Sequence, residues 1–78
     1  MSSFAAIINA PDYPPRIRHQ AIFEAFDGLS AGEVMLLVND HEPRPLYYQF
    51  QAERPDSFGW EYIEEGPEIY RVAITKLN

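Results

Sequence analysis

His19 and His41 are the residues in this sequence best suited to chemistry near neutral pH. Imidazole changes charge within the physiological range and ligates metals through a ring nitrogen. His41 stands in the run Asp40-His41-Glu42, with Arg44 just beyond it, while His19 follows Arg16 and Arg18. Two imidazoles and a carboxylate such as Asp40 could hold zinc or iron with coordination positions left open. Arg16, Arg18 and Arg44 gathered at the same point would instead suit a small anion, a carboxylate or a phosphate. No His-x-x-x-His or His-x-His spacing occurs, so a shared site depends on tertiary proximity. The simpler alternative is structural. His19 would donate to a backbone carbonyl, Asp40 would cap a helix, and Asp12, Asp40 or Glu42 would pair with Arg16 and Arg18. Asp40 and His41 could also serve as base and acid. That role needs a cleft, which a domain this small builds only with a partner or a second subunit.

Composition removes other chemistry. The 78 residues contain no cysteine, which excludes disulfides, thiolate metal sites, thiol catalysis and persulfide carriage. Six basic against twelve acidic residues give a net charge of −6, and an acidic surface repels phosphate backbones, so no nucleic-acid partner is expected. The aromatic residues Tyr47, Tyr48, Phe58, Trp60, Tyr62 and Tyr70 could stack bases, but Glu61, Glu64, Glu65 and Glu68 surround them. Core and cross-strand packing explains them better. No phosphate loop, nucleophile elbow or zincin motif occurs, and Ser2, Ser3, Ser30 and Ser57 lie at the terminus or at turn and strand-start positions. No apolar stretch is long enough to span a bilayer and no charged-then-apolar leader is visible. The expectation is a soluble cytoplasmic domain with no membrane partner.

Seven prolines in clusters punctuate the chain, because proline fixes φ and lacks a backbone donor. Residues 4–9 form a short apolar run that reads as a strand. From Pro15 to Leu29, Ile22, Phe23, Phe26 and Leu29 make the stripe of an amphipathic helix. His19 continues that stripe one turn earlier. Glu33 to Asn39 contains Val-Met-Leu-Leu-Val, apolar on both faces, as in a strand inside a sheet. Arg44 to Arg54 reads as a second helix stopped by Pro55. Ser57 to Glu64 alternates with Phe58, Trp60 and Tyr62 on one face, and Glu68 to Lys76 with Tyr70, Val72 and Ile74 on one face.

The order β-α-β-α-β-β defines an α+β domain over residues 1–78. Right-handed crossovers put both helices on one sheet face, giving a two-layer sandwich with a closing antiparallel hairpin. Either Met35 and Leu37 or Val34, Leu36 and Val38 must then face the uncovered side, a candidate partner surface. The first two strands should be parallel neighbours, so the segments Ala10 to Pro14 and Asp40 to Arg44 emerge at one edge. Both helix amino termini and both histidines share that edge, where ligands of α/β sheets tend to bind.

The segments Arg18-His19, Ile22-Phe23-Glu24, Ala31-Gly32-Glu33, and above all Asn39-Asp40-His41-Glu42-Pro43-Arg44-Pro45-Leu46 with Tyr47-Tyr48-Gln49 after it, followed by Trp60-Glu61-Tyr62 and Glu65-Gly66-Pro67, carry a family resemblance. The chain resembles a bacterial domain-of-unknown-function family related to the TusA-like (SirA-like) sulfur-carrier fold. The resemblance implies a mixed four-stranded sheet in the order 1-2-4-3, with strand 4 antiparallel. TusA-like carriers hold sulfur on the cysteine of a Cys-Pro-x-Pro motif after strand 1. Here that place reads Asp12-Tyr13-Pro14-Pro15-Arg16, so persulfide relay is chemically excluded unless a partner supplies the thiol. The expected function is a small non-enzymatic binding module that engages a protein partner or a second copy of itself. The alternative is a metal- or small-anion-binding domain using His19 and His41, with redox or pH response.

Overall fold

The computed structural model describes residues 4–78, so Ser2 and Ser3 lie outside the described residues. The elements are β1 (Ala6–Asn9), a 3-10 turn (Ala10–Asp12), α1 (Pro15–Asp27), β2 (Val34–Asn39), α2 (Arg44–Glu53), β3 (Phe58–Glu65) and β4 (Tyr70–Lys76). The sheet order is β1-β2-β4-β3. β1 pairs parallel with β2, and β4 runs antiparallel to both β2 and β3. The expected α+β architecture and its 1-2-4-3 order are therefore present. Helices stacked on one side of a twisted sheet give a slab 31 × 31 × 18 Å, two layers thick.

Alternation along the strands decides what each face carries. Met35, Leu37 and Asn39 of β2, Ile8 of β1, and Val72 and Ile74 of β4 point to the helix layer and are buried. Val34, Leu36 and Val38 occupy the other face and are half-buried. The helices close the core with Ile22, Phe23 and Phe26 from α1 and Leu46 and Phe50 from α2. Phe50 is fully buried at the centre. It stacks on Phe23 at 4.3 Å and meets Phe26 edge-on at 5.1 Å. Phe58 and Trp60 of β3 lie 5.2 and 5.9 Å from the same ring.

Both helices begin where the sequence places them, at Pro15 and Arg44, but their caps and the end of α1 differ from expectation. The first residue before α2 is Pro43, and no side chain caps the helix. Asp40 is not a cap; its carboxylate turns to His41 instead. A proline here needs no donor satisfied, and its fixed φ suits entry into a helix. α1 stops at Asp27, two residues short of Leu29. Asp27 and Arg54, at the carboxyl ends of the two helices, form a two-pronged ion pair with N···O distances of 2.9 and 2.7 Å. Arg54 also lies over the Phe23 ring. Lys76 adds a bond to the Asp27 carbonyl at 3.0 Å. A carboxylate at a helix carboxyl end opposes the helix dipole, and these cations offset it. Beyond α1, Gly32 turns the chain into β2 at φ 89°, a backbone state that disfavours a side chain. Its N–H bonds the Lys76 carbonyl at 2.7 Å, tying the turn to the end of β4. In the final hairpin the register slips between Tyr62 and Glu64, so Ile63 forms a bulge on β3.

Candidate functional site

The parallel β1–β2 pair brings the ends of both strands to one edge, and the amino-terminal parts of α1 and α2 meet there. A cavity of about 70 Å³ lies between them. Its walls are His19, Arg18 and Ile22 from α1, Leu37 and Asn39 from β2, His41 and Pro43 after β2, Pro45 and Leu46 from α2, and Ala10 after β1. The two histidines, 22 positions apart in the chain, thus line one concavity.

Each imidazole is oriented through the same nitrogen. His19 Nδ1 is 2.7 Å from Gln49 Oε1. The Gln49 amide nitrogen donates to Glu53 Oε2 at 2.9 Å, and a carboxylate accepts only, so the amide oxygen must face His19. His19 therefore donates from Nδ1, and its Nε2 makes no hydrogen bond within the described residues. His41 donates from Nδ1 to Asp40 Oδ1 at 2.7 Å, and its Nε2 makes no hydrogen bond within the described residues. The bond from His41 holds the Asp40 carboxyl below its ordinary value, and the positive charge of Arg18 adds to this. A histidine held at one nitrogen by an acceptor presents the other as a ligand or a hydrogen-bond acceptor.

Two further polar groups of the wall have no partner. Arg18 donates from Nη2 to the Tyr13 carbonyl at 2.9 Å, but its buried Nε has no acceptor. Asn39 is 7% exposed and its Oδ1 has no donor. Such buried groups cost stability unless a bound molecule or water pairs them.

The remaining sequence candidates are dispersed. Arg16 is exposed on α1 and lines neither concavity described here. Arg44 lines a separate, open concavity of about 540 Å³ beside Tyr47, Phe58, Trp60 and Tyr62. It faces Glu42 at 3.8 Å, and that carboxylate raises the already high pKa of its guanidinium. Glu42 also accepts a hydrogen bond from the Tyr62 hydroxyl. Burial first, and then this bond, push the Tyr62 hydroxyl pKa up. The three arginines therefore do not converge on one point. Among the described residues, no group of three or more His, Asp or Glu side chains is placed to hold a metal ion. His19 and His41 would supply two ligands, and the others would have to come from water or a second molecule.

Sequence reasoning missed Gln49 and Asn39. Gln49 lies thirty positions from His19, and a glutamine on a helix carries no signal of such a bond. Asn39 was legible in principle, since it shares the parity of Met35 and Leu37 on the buried face of β2.

Fold and edge together define the class: a two-layer α+β domain with a polar cavity beyond the ends of its parallel strands. The chain belongs to the family described as "Uncharacterized conserved protein (DUF2249)", whose profile matches residues 7–76. No curated protein and no solved structure matches it. No helix among the described residues is long and apolar enough to cross a membrane.

Proposed function

We propose that this chain is a small non-enzymatic binding module of the cytoplasm, related to the TusA-like fold but without persulfide chemistry, and that its ligand enters at the histidine edge. One observation carries the reading: Arg18 Nε and Asn39 Oδ1, both buried and unpartnered, belong to the cavity lined by the two oriented imidazoles. A protein gains nothing in stability by leaving such groups unmet. The segment Asp12-Tyr13-Pro14-Pro15-Arg16, where the resemblance puts the carriers' cysteine motif, holds no thiol, and within it the Tyr13 carbonyl accepts a hydrogen bond from Arg18 Nη2. The same loop thus serves non-covalent recognition in place of a thiol. The test is a nuclear magnetic resonance screen of small fragments against the labelled protein. Saturable shifts at His19, His41, Arg18 and Asn39 support the reading. Shifts confined to other surfaces, or none, sink it.

A second reading has its own observation. Ile7 is 64% exposed on the uncovered sheet face beside half-buried Val34, Leu36 and Val38. That apolar strip would suit a protein partner or a second copy of the chain. Sedimentation of the wild type and of Ile7→Asp decides the second-copy case. A mass above one chain that the variant loses supports it, and a monomer in both removes it. The metal alternative is checked by adding zinc or iron(II) and following Trp60 fluorescence. Stoichiometric binding lost in both His19→Ala and His41→Ala favours it.

A further inference from the structure

We propose that the open concavity between α2 and β3 is a cage for a small organic cation bearing a quaternary or methylated ammonium group. Four aromatic rings line it, Tyr47 from α2 and Phe58, Trp60 and Tyr62 from β3, in a volume of about 540 Å³. Phe58 and Trp60 touch Phe50 of the core, yet all four rings are only half-buried. Neighbouring rings stand nearly at right angles. Tyr47 meets Phe58 at 74° and Trp60 at 66°, Phe58 meets Trp60 at 83°, and Trp60 meets Tyr62 at 78°. Rings so arranged turn their faces in different directions, so a guest meets faces on more than one side. Trp60 Nε1 is buried, which turns the N–H edge of the indole inward and leaves ring carbon at the surface.

The face of an aromatic ring is negative and attracts a cation held over it. The charged groups of the concavity act in the same direction. Arg44 lines it but faces Glu42 at 3.8 Å, and Glu42 also holds the Tyr62 hydroxyl. Asp56 lines it too and has no ion-pair partner among the described residues. Two carboxylates therefore stand against one guanidinium, in a chain of net charge −6. An anion would meet the ring faces and the excess carboxylate. A primary ammonium is strongly hydrated and brings three N–H donors that each need an acceptor. A methylated ammonium sheds water more easily, carries few N–H groups or none, and packs its methyl groups on the rings. The site is distinct from the histidine cavity, with which it shares no lining residue.

The experiment titrates the full chain with choline, with neohexanol, its uncharged carbon isostere, and with tert-butylacetate, an anion of like shape. The readout is the fluorescence of Trp60, the single tryptophan. Choline should saturate the signal and bind about tenfold more tightly than neohexanol, the effect of a cation over several rings. Binding of tert-butylacetate should be weaker than that of either. Asp56→Asn removes the charge and keeps the turn, because asparagine tolerates the φ of 60° found there. This variant should weaken choline about threefold, as for a partly screened charge, and leave neohexanol unchanged. Tyr47→Leu replaces one ring face with an apolar group and should weaken choline about fivefold, with a smaller effect on neohexanol. Equal binding of choline and neohexanol overturns the proposal, since it makes the concavity a plain apolar groove. Preference for tert-butylacetate overturns it by giving control to Arg44. Silence toward choline at millimolar levels removes the cage altogether.

Discussion

The two ends of this slab treat their polar groups in opposite ways. At the carboxyl ends of the helices, Asp27, Arg54 and Lys76 match charge to charge and carbonyl to cation. At the amino ends, Arg18 Nε and Asn39 Oδ1 stand unmet in the wall of a cavity that two imidazoles also line. Both ends flank one aromatic core, so the core alone does not explain the difference. A matched end holds the fold together. An unmatched end costs stability and is retained where something binds.

The largest effect should come from the core shared by both ends. Phe50→Ala removes the ring that Phe23, Phe26, Phe58 and Trp60 all touch. A loss of about 3–5 kcal/mol in denaturant unfolding is expected, with both ends failing in one transition. Separate transitions for the two ends would break the comparison at its root.

Next comes Asn39→Leu, which replaces an unmet buried amide with an apolar group of similar size. This variant should be more stable by about 1–2 kcal/mol and should lose fragment binding at the cavity. A destabilised variant would mean that Asn39 is satisfied after all and that the two ends are alike.

The matched end gives a smaller change of opposite sign. Arg54→Ala should cost about 1 kcal/mol, less in high salt, because the pair is partly exposed and screened. The hydrogen bond from Arg54 holds the Asp27 carboxyl below its ordinary 3.8. A lowered carboxyl pKa means the pair contributes fully above that ordinary value and loses its contribution as pH falls through the lowered folded value. Wild-type stability should therefore decline in acid more steeply than that of Arg54→Ala, as acid titrations of the unfolding midpoint would reveal. Parallel curves would remove the ion pair from the account.

The smallest stability effect belongs to His41→Ala. His41 is 66% exposed in its side chain, so its removal should leave the melting temperature unchanged. A clear drop in melting temperature would assign it to the matched, structural class.

Much of this arrangement was readable in the residues. Five consecutive apolar residues from Val34 to Val38 place β2 inside the sheet, and the spacing of Ile22, Phe23 and Phe26 fixes the buried side of α1. From those two facts, the parallel β1–β2 pair carries His19 and His41 to one edge. What escaped was set by contacts distant in sequence or by local backbone detail. The Gln49 bond to His19 spans two helices. The turn at Ala10–Asp12 and the bulge at Ile63 have no periodic signature. Asp40 resembled a cap because aspartate often is one, but Pro43 took the position and left its carboxylate to His41. The arginines looked convergent because helix amino termini converge. Their long side chains then found separate partners, the Tyr13 carbonyl for Arg18 and Glu42 for Arg44.

The bulge at Ile63 has a consequence for how copies of this chain meet. β3 is an outer strand of eight residues, long enough to template a strand from a neighbour. A bulge bends such a strand and interrupts the even ladder that edge-to-edge growth requires. Exposed Glu61 and Glu65 add like charges that two apposed edges would have to bring together. At the opposite margin, β1 is only four residues long. Both margins thus resist sheet extension, which protects a crowded solution of this acidic domain from fibre formation and leaves its broad faces for specific contacts.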